Sequence, residues 1–271
     1  MKKTEEKTTE KLLREKDQLK IKVLELEKKL AERTSELQNA RNELETFTYS
    51  VSHDLRAPLR AIMGFSEIIS ERYLNSFNEE AIQYFNFIRE ASENLGSLID
   101  DLLKLSRLLQ FKQKKELVDI EIIVNNVLKN LSEEIKEQKA TIKLPEYIPS
   151  CKTSRFLLEQ ILHNLLHNAL IYHKMDENPV VDISLKKDRK NITVAVKDNG
   201  IGIPEMFHEK IFNVFQRLHS QEEFPGTGIG LAIVKKAVEK LEGEVFVSSQ
   251  PGFGATFTVI LPIKNSNDGL E

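Results

Sequence analysis

Apolar residues in the first part of the chain recur in alternating steps of four and three. The segment ending near Leu44 contains neither Gly nor Pro and is rich in Lys, Glu and Leu. Such a heptad favours a two-stranded coiled coil, and a single solvated helix is the simpler alternative. We predict a coiled-coil helix over 1–46 that continues into the next segment. The seam consists of Leu19, Val23, Leu26, Leu30, Leu37, Ala40, Leu44, Phe47 and Val51, with an interruption at Arg33 and a weak start at Thr9 and Lys16.

The helical pattern persists from Phe47 to about Tyr73, and a second one runs from about Glu79 to Leu109. Between them, the stretch YLNSFNEE places Asn and Ser where helix-capping residues are favoured. Two helices joined by a short turn form a hairpin, and two copies would cover its wide apolar stripe in a four-helix bundle. We therefore predict a dimerising hairpin over 47–110, followed by a linker over 111–117.

After about Leu117, helical and strand-like stretches alternate, with Gly and Pro clustered between them. Helices are expected near 120–138 and 154–173, and strands at ATIKL, VVDISLKK, NITVAVKD, GEVFVSSQ and GATFTVILP. The mixture predicts a separate α/β domain over 118–264, with a mixed sheet covered on one face by helices. The predicted fold class is thus multidomain, α followed by α/β, with a disordered tail over 265–271.

Composition and charge narrow the possible functions. A length of 271 residues suffices for about two domains with a sizeable core. The pI of about 6.2 argues against a nucleic-acid-binding surface, which would be basic. No apolar run reaches the roughly 18–20 residues of a membrane span, and the N-terminus lacks a signal-peptide core. Because the single cysteine, Cys151, fits a reducing compartment, we expect a cytoplasmic protein or the cytoplasmic part of a longer one.

The stretch FTYSVSHDLRAPLR places His53 beside Asp54 on the first hairpin helix. Val51 and Leu55 belong to the apolar stripe, so His53, two residues from each, is expected to face water. A metal site has little support, because that face carries no second ligand one turn away, and an ordinary surface histidine is the other alternative. Asp54 can orient the imidazole or take its proton, which leaves the other ring nitrogen as a nucleophile. Pro58 should kink the helix just beyond it.

The stretch ILHNLLHNALIY carries two pairs of polar residues at helical spacing. Asn164 and Asn168 share one helix face, and their neutral amide oxygens suit a hydrated Mg²⁺ that is shared with phosphates. His163 and His167 have the same spacing, which can bind zinc. Because the adjacent Glu of a hydrolytic zinc site is missing, we favour Mg²⁺ held by the asparagines.

Two glycine-rich runs point to a phosphate ligand. DNGIGIP follows a predicted strand, its glycines let the backbone approach a ligand, and Asp198 offers a carboxylate to an amino group. GTGIGLAIVKK is a glycine-rich turn entering a helix, and its backbone N–H groups suit a polyphosphate. It is not a Walker A loop, since no Gly-Lys followed by Ser or Thr occurs there. Either run alone is weak support for phosphate binding.

Together and in this order, these motifs resemble those of the sensor histidine kinases of two-component signalling, with a HisKA-type dimerisation and phosphoacceptor hairpin. The resemblance extends from about Phe47 to Pro262. SVSHDLRAPL is similar to the H box, NLLHNA to the N box, DNGIGIP to the G1 box, FNVFQRL to the F box and GTGIGLAIV to the G2 box. GFGATFTVILP resembles the closing strand. The resemblance implies a Bergerat-type ATP-binding sandwich, shared with DNA gyrase and the Hsp-ninety chaperones.

The resemblance also implies residue roles. His53 would be the phosphoacceptor, Asp54 its general base, and Arg217 would lie near the γ-phosphate of ATP. Asn168 would be the principal Mg²⁺ ligand, assisted by Asn164. The other implied nucleotide-binding residues are Asp198 at the adenine amino group, Tyr172 near the base, Thr256 at the adenine end, Leu231, Thr227, and the glycines Gly200, Gly202, Gly226, Gly228 and Gly230. Phe212 and Phe215 would anchor the lid, which is the segment between about Gly202 and Gly226, over the nucleotide.

Two positions depart from the family pattern. A lysine usually stands where this chain has Ile171, and one missing charge-assisted hydrogen bond corresponds to about ten- to a hundred-fold in affinity. Members with strong phosphatase activity tend to carry Thr or Asn four residues after the histidine, where this chain has Ala57. Modest nucleotide affinity and weak phosphatase activity are therefore expected.

The expected function is ATP-dependent autophosphorylation of His53 and transfer to an aspartate of a response regulator receiver domain. A homodimer and an upstream sensor input, delivered through the coiled-coil signalling helix, are the other expected partners. A degenerate kinase that binds nucleotide and only scaffolds a dimer is the main alternative. A gyrase-like clamp would need a transducer domain after Pro262, and a purely structural coiled-coil protein would not explain Asp198, Asn168 and the glycine runs.

Overall fold

The computed structural model of the chain describes residues 2–111, 115–220 and 223–263. Within these ranges, the side chains of residues 2–15, 17, 21, 37–49, 53 and 75 are not described. The chain divides into two compact units, Met1–Ser50 and Val51–Glu271. None of the described helices is long and apolar enough to cross a membrane.

Helix α1 spans Lys2–Tyr73, 72 residues, and Pro58 lies inside it without ending it. The prediction that the heptad helix continues into the hairpin helix is therefore confirmed. In the first unit, the described seam residues Leu19, Val23, Leu26 and Leu30 are 52–68% exposed in the single chain. A long apolar stripe that is exposed to water in the single chain could be buried against a second helix. The two-stranded coiled coil and the kink at Pro58 stay predictions.

The second unit begins with the predicted hairpin. A short 3₁₀ turn at Leu74–Ser76 connects α1 to helix α2, Glu79–Gln110. Asn78 caps α2, because its side-chain oxygen accepts a hydrogen bond from the Ala81 amide at 2.8 Å. The capping prediction for this turn is thus confirmed. Where the helices face each other, Leu59, Ile99 and Leu103 form a small buried cluster.

Much of the apolar surface of the hairpin stays uncovered in one chain. Leu55, Ile62, Ile88 and Leu95 are 43–54% exposed. Burying such side chains stabilises a protein by roughly 1.5–3 kcal/mol each, so leaving several in water favours association. The uncovered stripe is the surface that the four-helix bundle prediction requires.

The α/β part contains a five-stranded mixed sheet with the order β2-β4-β5-β7-β6. Only the β2–β4 pair is parallel among the described pairs of this sheet. A separate antiparallel pair joins β1 and β3. The strands are β1 Glu116–Val118, β2 Thr141–Lys143, β3 Cys151–Thr153, β4 Val180–Lys187, β5 Asn191–Asp198, β6 Glu244–Ser249 and β7 Ala255–Pro262. The predicted mixed sheet and its five strands are confirmed.

Helices cover one face of this sheet. They are α3 Ile120–Asn130, α4 Ser132–Glu137, α5 Arg155–Ile171 and α6 Gly230–Lys240. The alternation in β5 sends Ile192, Val194 and Val196 into the core, as period two requires. Helix α5 buries Leu157, Leu158, Ile161, Leu162, Leu165, Leu166, Ala169 and Leu170, which recur at helical spacing on one side. The opposite side of α5 remains available for a site.

Two element boundaries differ from the predictions. The predicted linker over 111–117 is too long, because Glu116 and Leu117 already belong to β1 and pair with β3. The single helix predicted near 120–138 is two helices that meet at Leu131, whose side chain is buried. Three-residue strands such as β1 and β3 are too short to show an alternating pattern, which is why the sequence did not reveal them.

The C-terminal end of α2 is fixed to the α/β part by Lys240. Its ammonium donates to the carbonyl oxygens of Leu109 at 2.8 Å and Phe111 at 3.0 Å. The last carbonyls of a helix have no partner within the helix, so a cation there is favourable. The Phe111 ring also packs on Phe156, with ring centroids 4.7 Å apart. These contacts join the C-terminal end of the hairpin to the sheet domain, and Leu105 and Leu108 of α2 pack into the same buried core cluster as α5 and α6.

We expect Lys240→Met to loosen the last turn of α2. Losing charge-assisted hydrogen bonds to two terminal carbonyls corresponds to about 1.5–3 kcal/mol, or roughly tenfold or more in local opening. Amide hydrogen exchange at Leu108 and Leu109 should accelerate accordingly. Lys236→Met is the matched control, because Lys236 lies one turn earlier on α6 and pairs only with exposed Glu239. Equal acceleration in both variants would contradict the assigned anchoring.

Candidate functional site

A cavity of about 630 Å³ lies between α5, the loop after β5, the glycine-rich turn before α6, and helix α2 of the hairpin. It collects most of the residues that the sequence singled out. From the predicted site, the lining residues are Asn164, Asn168, Tyr172, Asp198, Gly202, Arg217, Gly226, Thr227, Gly228, Gly230 and Leu231. The H-box residue Asp54, the backbone glycine Gly200 and Thr256 are not among the lining residues.

The polar side of α5 directs two amide oxygens towards the start of α6. Asn164 donates through Nδ2 to the Gln160 carbonyl oxygen at 2.7 Å, which leaves Oδ1 for the cavity. A side chain on Gly230 would place its Cβ 3.0 Å from Asn164 Oδ1 and 3.8 Å from Asn168 Oδ1. Only glycine therefore leaves this space open. Two neutral oxygens that converge beside a helix N-terminus fit a hydrated Mg²⁺ shared with phosphates.

Asp198 is held at the end of β5 by the loop that follows it. Its Oδ1 accepts hydrogen bonds from the backbone amides of Gly200 at 2.8 Å and Ala255 at 3.0 Å. A Cβ on Gly200 would lie 2.1 Å from the Tyr172 carbonyl oxygen, so the tight turn needs glycine. Gly200 therefore acts through Asp198 and the backbone and does not face the cavity.

Burial raises the pKa of Asp198, and the backbone hydrogen bonds from Gly200 and Ala255 oppose that rise. Within the described part of the chain, no other residue donates a hydrogen bond to Oδ2. One carboxylate oxygen is thus committed to the fold, and the other can accept a hydrogen bond from a ligand in the cavity. An amino group is the natural partner for an oxygen of this kind.

Thr256 does not reach the cavity. Along β7, the side chains of Ala255 and Phe257 line the cavity, and period-two alternation sends Thr256 to the opposite face. The adenine-end role of Thr256 stays a prediction, and the β7 residues that line the cavity are its neighbours Ala255 and Phe257. Ala255 was missed because its contribution is mainly the backbone N–H that holds Asp198.

The predicted lid anchors behave differently from each other. Phe212 is buried, and its ring meets Phe257 edge-on at 6.5 Å. Phe215 is 60% exposed and has a φ of 64°, so its side chain is much less buried than that of Phe212. Its backbone amide donates to the Gly228 carbonyl oxygen at 3.1 Å instead. The lid is therefore attached here through the backbone.

Aromatic and cationic residues of the lid close one side of the cavity. Tyr172 and Phe224 pack at a centroid distance of 5.4 Å, and His219 meets Phe224 edge-on at 5.2 Å. Arg217 donates through Nη2 to the Phe224 carbonyl oxygen at 2.7 Å. Burial raises the pKa of Tyr172, so its hydroxyl stays protonated at neutral pH. Arg217 thus lines the ligand space while it also holds the lid together.

The histidine pair on α5 faces the same cavity. The rings of His163 and His167 stack at 5.9 Å. Burial lowers the pKa of both side chains, so both are neutral at physiological pH. Among the described residues, no group of three or more His, Cys, Asp and Glu side chains is arranged to hold a metal ion.

Helix α2 supplies a wall of the cavity that the motifs did not reveal. Asn94, Ser97, Leu98, Asp100, Asp101 and Lys104 all line it. Thr227 of the glycine-rich turn donates its hydroxyl to Asp101 Oδ2 at 2.7 Å, which joins the hairpin directly to the predicted phosphate turn. No sequence signal marks these residues, because their role depends on how the hairpin docks.

The backbone of His53 lies in α1, but its side chain falls outside the described residues, so its predicted exposure stays a prediction. Arg56, less than one turn further along α1, forms an ion pair with Asp100 at 2.6 Å. Asp100 lines the cavity. The helical segment that carries His53 is therefore connected to the cavity wall through one ion pair.

Two protein-family models match this chain. The model described as "His Kinase A (phospho-acceptor) domain" matches residues 43–110. The model described as "Histidine kinase-, DNA gyrase B-, and HSP90-like ATPase" matches residues 153–265. The first covers the hairpin, and the second covers α5, α6 and the strands β4 to β7 of the mixed sheet.

Curated relatives agree with these matches. The chain is 32% identical to the phytochrome-like protein Cph1 of Synechocystis over 90% of this chain and 32% of that protein. It is 29% identical to the sensor protein kinase WalK of Staphylococcus aureus over 87% of this chain and 57% of that protein. The chain thus spans about a third of the length of the first relatives it matches.

Solved structures share the fold. The crystal structure of full-length ShkA in complex with AMPPNP matches with a TM-score of 0.62 and 25% identity, over 82% of this chain and 47% of that one. The Acinetobacter baumannii histidine kinase AdeS matches with a TM-score of 0.55 and 24% identity, over 79% of this chain and 98% of that one. The match to AdeS, at 24% identity, shows a shared fold and nothing more.

We expect Asp198→Asn to stabilise the ligand-free protein at neutral pH. Burial raises the pKa of Asp198 in the folded protein above its ordinary value of 3.8. The folded protein therefore gains stability from the protonated carboxyl at a pH below 3.8, and it loses this stability as the pH rises through the folded-state pKa and the carboxyl becomes charged. Asparagine keeps the Oδ1 acceptor for Gly200 and Ala255 but carries no charge. Thermal unfolding should show a higher melting temperature for the variant at neutral pH, and the difference should shrink on acidification.

Asp188→Asn is a control with the opposite sign. Backbone hydrogen bonds from Asn191 and Lys190 lower the pKa of Asp188 in an exposed turn. The charged Asp188 carboxylate therefore stabilises the folded protein at a pH above the ordinary pKa of 3.8, and this stabilisation is lost on acidification. The variant should have a slightly lower melting temperature than wild type at neutral pH. If Asp198→Asn also melts lower at neutral pH, the assigned cost of burying the Asp198 charge is wrong.

Proposed function

Since this chain belongs to the sensor histidine kinases, we propose that it uses ATP to phosphorylate its own His53 and passes the phosphoryl group to a response regulator. The acceptor there is an aspartate of a receiver domain. The observation that carries the proposal is the shared cavity: ATPase-type motifs line one side of it, and the phosphoacceptor hairpin lines the other. Donor site and acceptor element thus belong to one space.

The cavity fits a nucleotide in size and chemistry. About 630 Å³ lies within the range of small-molecule sites. Asp198 Oδ2 would accept a hydrogen bond from the adenine amino group, and Tyr172 would pack near the base. The glycine-rich turn and the N-terminus of α6 would hold the phosphates, as such turns do elsewhere. The binding of AMPPNP by ShkA supports a nucleotide in the corresponding place.

Asn164 and Asn168 would hold Mg²⁺ beside Gly230, and the ion would neutralise phosphate charge. Thr227, Gly226 and Gly228 would orient the β- and γ-phosphates with their backbone N–H groups. Positioning and charge neutralisation dominate phosphoryl transfer, so the protein needs little covalent chemistry of its own. Arg217, already held in the lid by the Phe224 carbonyl, would add positive charge there.

In the transfer step, an unprotonated imidazole nitrogen of His53 attacks the γ-phosphorus of ATP. A nitrogen–phosphorus bond forms, the bond between the γ-phosphorus and the bridging oxygen breaks, and ADP leaves. Asp54 would orient the ring and accept the proton of the other nitrogen as positive charge develops. In the second reaction, the receiver aspartate attacks the phosphohistidine and the imidazole leaves.

The active form is proposed to be a homodimer. The HisKA model that matches 43–110 describes a family whose hairpins pair, and the hairpin leaves a wide apolar stripe exposed in the single chain. A second copy would cover this stripe in a four-helix bundle. The coiled-coil helix would carry an upstream signal into the hairpin. We assign the regions as in the sequence analysis, with the linker shortened to end before β1.

A nucleotide-binding scaffold without efficient phosphotransfer is the second candidate. The observation in its favour is Ile171, an apolar side chain that lines the cavity near the asparagine face of α5. An apolar residue there contributes no charge to a bound phosphate. Such a protein would bind ATP and dimerise, but it would leave His53 unmodified.

Autophosphorylation separates these candidates. We expect wild-type protein to take up label from ATP labelled at the γ-phosphate, and His53→Gln to take up none, because glutamine has no nucleophilic nitrogen. The label should be acid-labile and base-stable, as expected for phosphohistidine. Calorimetric titration with a non-hydrolysable ATP analogue should give the same affinity for both proteins. Nucleotide binding without label in the wild type would favour the scaffold.

The Ala57 side chain predicts weak phosphatase activity towards a phosphorylated receiver. Ala57 lies one turn after His53 in α1 and has no group that can position water. We expect Ala57→Thr to increase the dephosphorylation rate about tenfold, the effect of one added hydrogen bond in a transition state. Ala57→Val is the control of similar shape without the hydroxyl. Rapid dephosphorylation by wild type, equal to that of the threonine variant, would contradict this.

A further inference from the structure

Positive charge is scarce in the cavity. Among the described residues that line it, the permanent cations are Lys104 and Arg217. The carboxylates of Asp100, Asp101 and Asp198 line the same space. A triphosphate is strongly anionic and needs charge-assisted donors to leave water. The two cations therefore have to serve any phosphate that binds there.

Arg217 is already partly committed. Its Nη2 donates to the Phe224 carbonyl oxygen at 2.7 Å and stabilises the lid. Ile171, on the α5 side, provides no donor at all. The wall formed by α2 is thus the remaining source of positive charge in the described part of the cavity, and Lys104 is the residue that provides it.

Lys104 lies close to the predicted phosphate turn. Its ammonium donates to Asp101 Oδ1 at 2.8 Å, and Asp101 Oδ2 accepts the hydroxyl proton of Thr227 at 2.7 Å. The Asp101 carboxylate therefore bridges the Lys104 ammonium and the Thr227 hydroxyl of the glycine-rich turn.

We propose that Lys104, on the phosphoacceptor hairpin, binds the terminal phosphates of ATP across the domain boundary; this rests on the kinase function proposed above. An ammonium has three N–H donors, and Asp101 uses one of them. The Lys104 side chain is 53% exposed, so it can turn towards a ligand without leaving a packed position. The pairing with Asp101 also cancels a carboxylate that would otherwise repel the phosphates.

If Lys104 binds the terminal phosphates, its removal should affect ATP and ADP binding differently, which the removal of a lysine with only a structural role would not do. A contact to the terminal phosphates strengthens ATP binding more than ADP binding, because ADP lacks the γ-phosphate. It also depends on the docked position of the hairpin, since the cation belongs to α2 and the glycine-rich turn belongs to the ATPase domain. ATP thus stabilises the arrangement that brings the hairpin to the cavity.

The test compares Lys104→Met with wild type by calorimetric titration of the full chain with a non-hydrolysable ATP analogue and with ADP, both with Mg²⁺. We expect about tenfold weaker binding of the ATP analogue, the effect of one charge-assisted hydrogen bond, and a smaller loss for ADP. Arg107→Met is the matched control, because Arg107 lies on the same helix, is exposed and does not line the cavity. It should bind both nucleotides like wild type.

A second variant separates charge from structure. Lys104→Met combined with Ile171→Lys moves the cation to the opposite wall of the same cavity and should recover most of the ATP-analogue affinity. Unchanged binding by Lys104→Met, an equal loss for both nucleotides, or no recovery in a cooperatively folded double variant would each overturn the assignment. If wild type binds neither nucleotide, the kinase proposal itself fails, and this inference falls with it.

Discussion

The geometry of the site depends on one constraint: helix α5 has to bury an apolar face against the sheet. Leu158, Ile161 and Leu165 are inaccessible to solvent on that face. Burying each such side chain is worth roughly 1.5–3 kcal/mol, whereas a single hydrogen bond contributes about 0.5–1.5 kcal/mol net. The apolar face therefore fixes the rotation of the helix. Asn164 and Asn168 are directed into the cavity because the core leaves them no other orientation.

The second determinant is the docking of the hairpin. Lys240 holds the end of α2 against α6, and Thr227 joins the glycine-rich turn to Asp101. Each of these polar contacts contributes only a modest free energy, and solvent weakens the exposed ones further. A contact of this strength can form and break during a reaction cycle. Leu105 and Leu108 of α2 belong to the same buried cluster as residues of α5 and α6, so the end of the hairpin is also held by apolar packing. Under the proposed function, the hairpin would contact the ATP site to receive a phosphoryl group and leave it to meet a receiver domain, and the polar contacts beside the cavity are the part of the docking that could break.

The sequence was sufficient for features determined by local pattern and insufficient for those determined by docking. The strands with period two and the two long helices of the hairpin were predicted because each carries its own periodicity. Thr256 was assigned from its motif, whereas Ala255 and Phe257 are the β7 residues that line the cavity, because a strand alternates its side chains between two faces and a shift of one position changes the face. Asp101 and Lys104 carried no motif. Asp101 lies at the cavity through its contact with Thr227, 126 positions away, and Lys104 is linked to that turn through Asp101.

The buried charge of Asp198 is explained by the same arrangement. An asparagine would satisfy the Gly200 and Ala255 amides through its one oxygen, and it would avoid the cost of burying a charge. It would then present an N–H group to the ligand. A carboxylate presents a second acceptor, so under the proposed function it would accept a purine with an amino group at that position and repel one with a carbonyl oxygen there. The cost in stability would then support discrimination between bases, because only the carboxylate offers two acceptors.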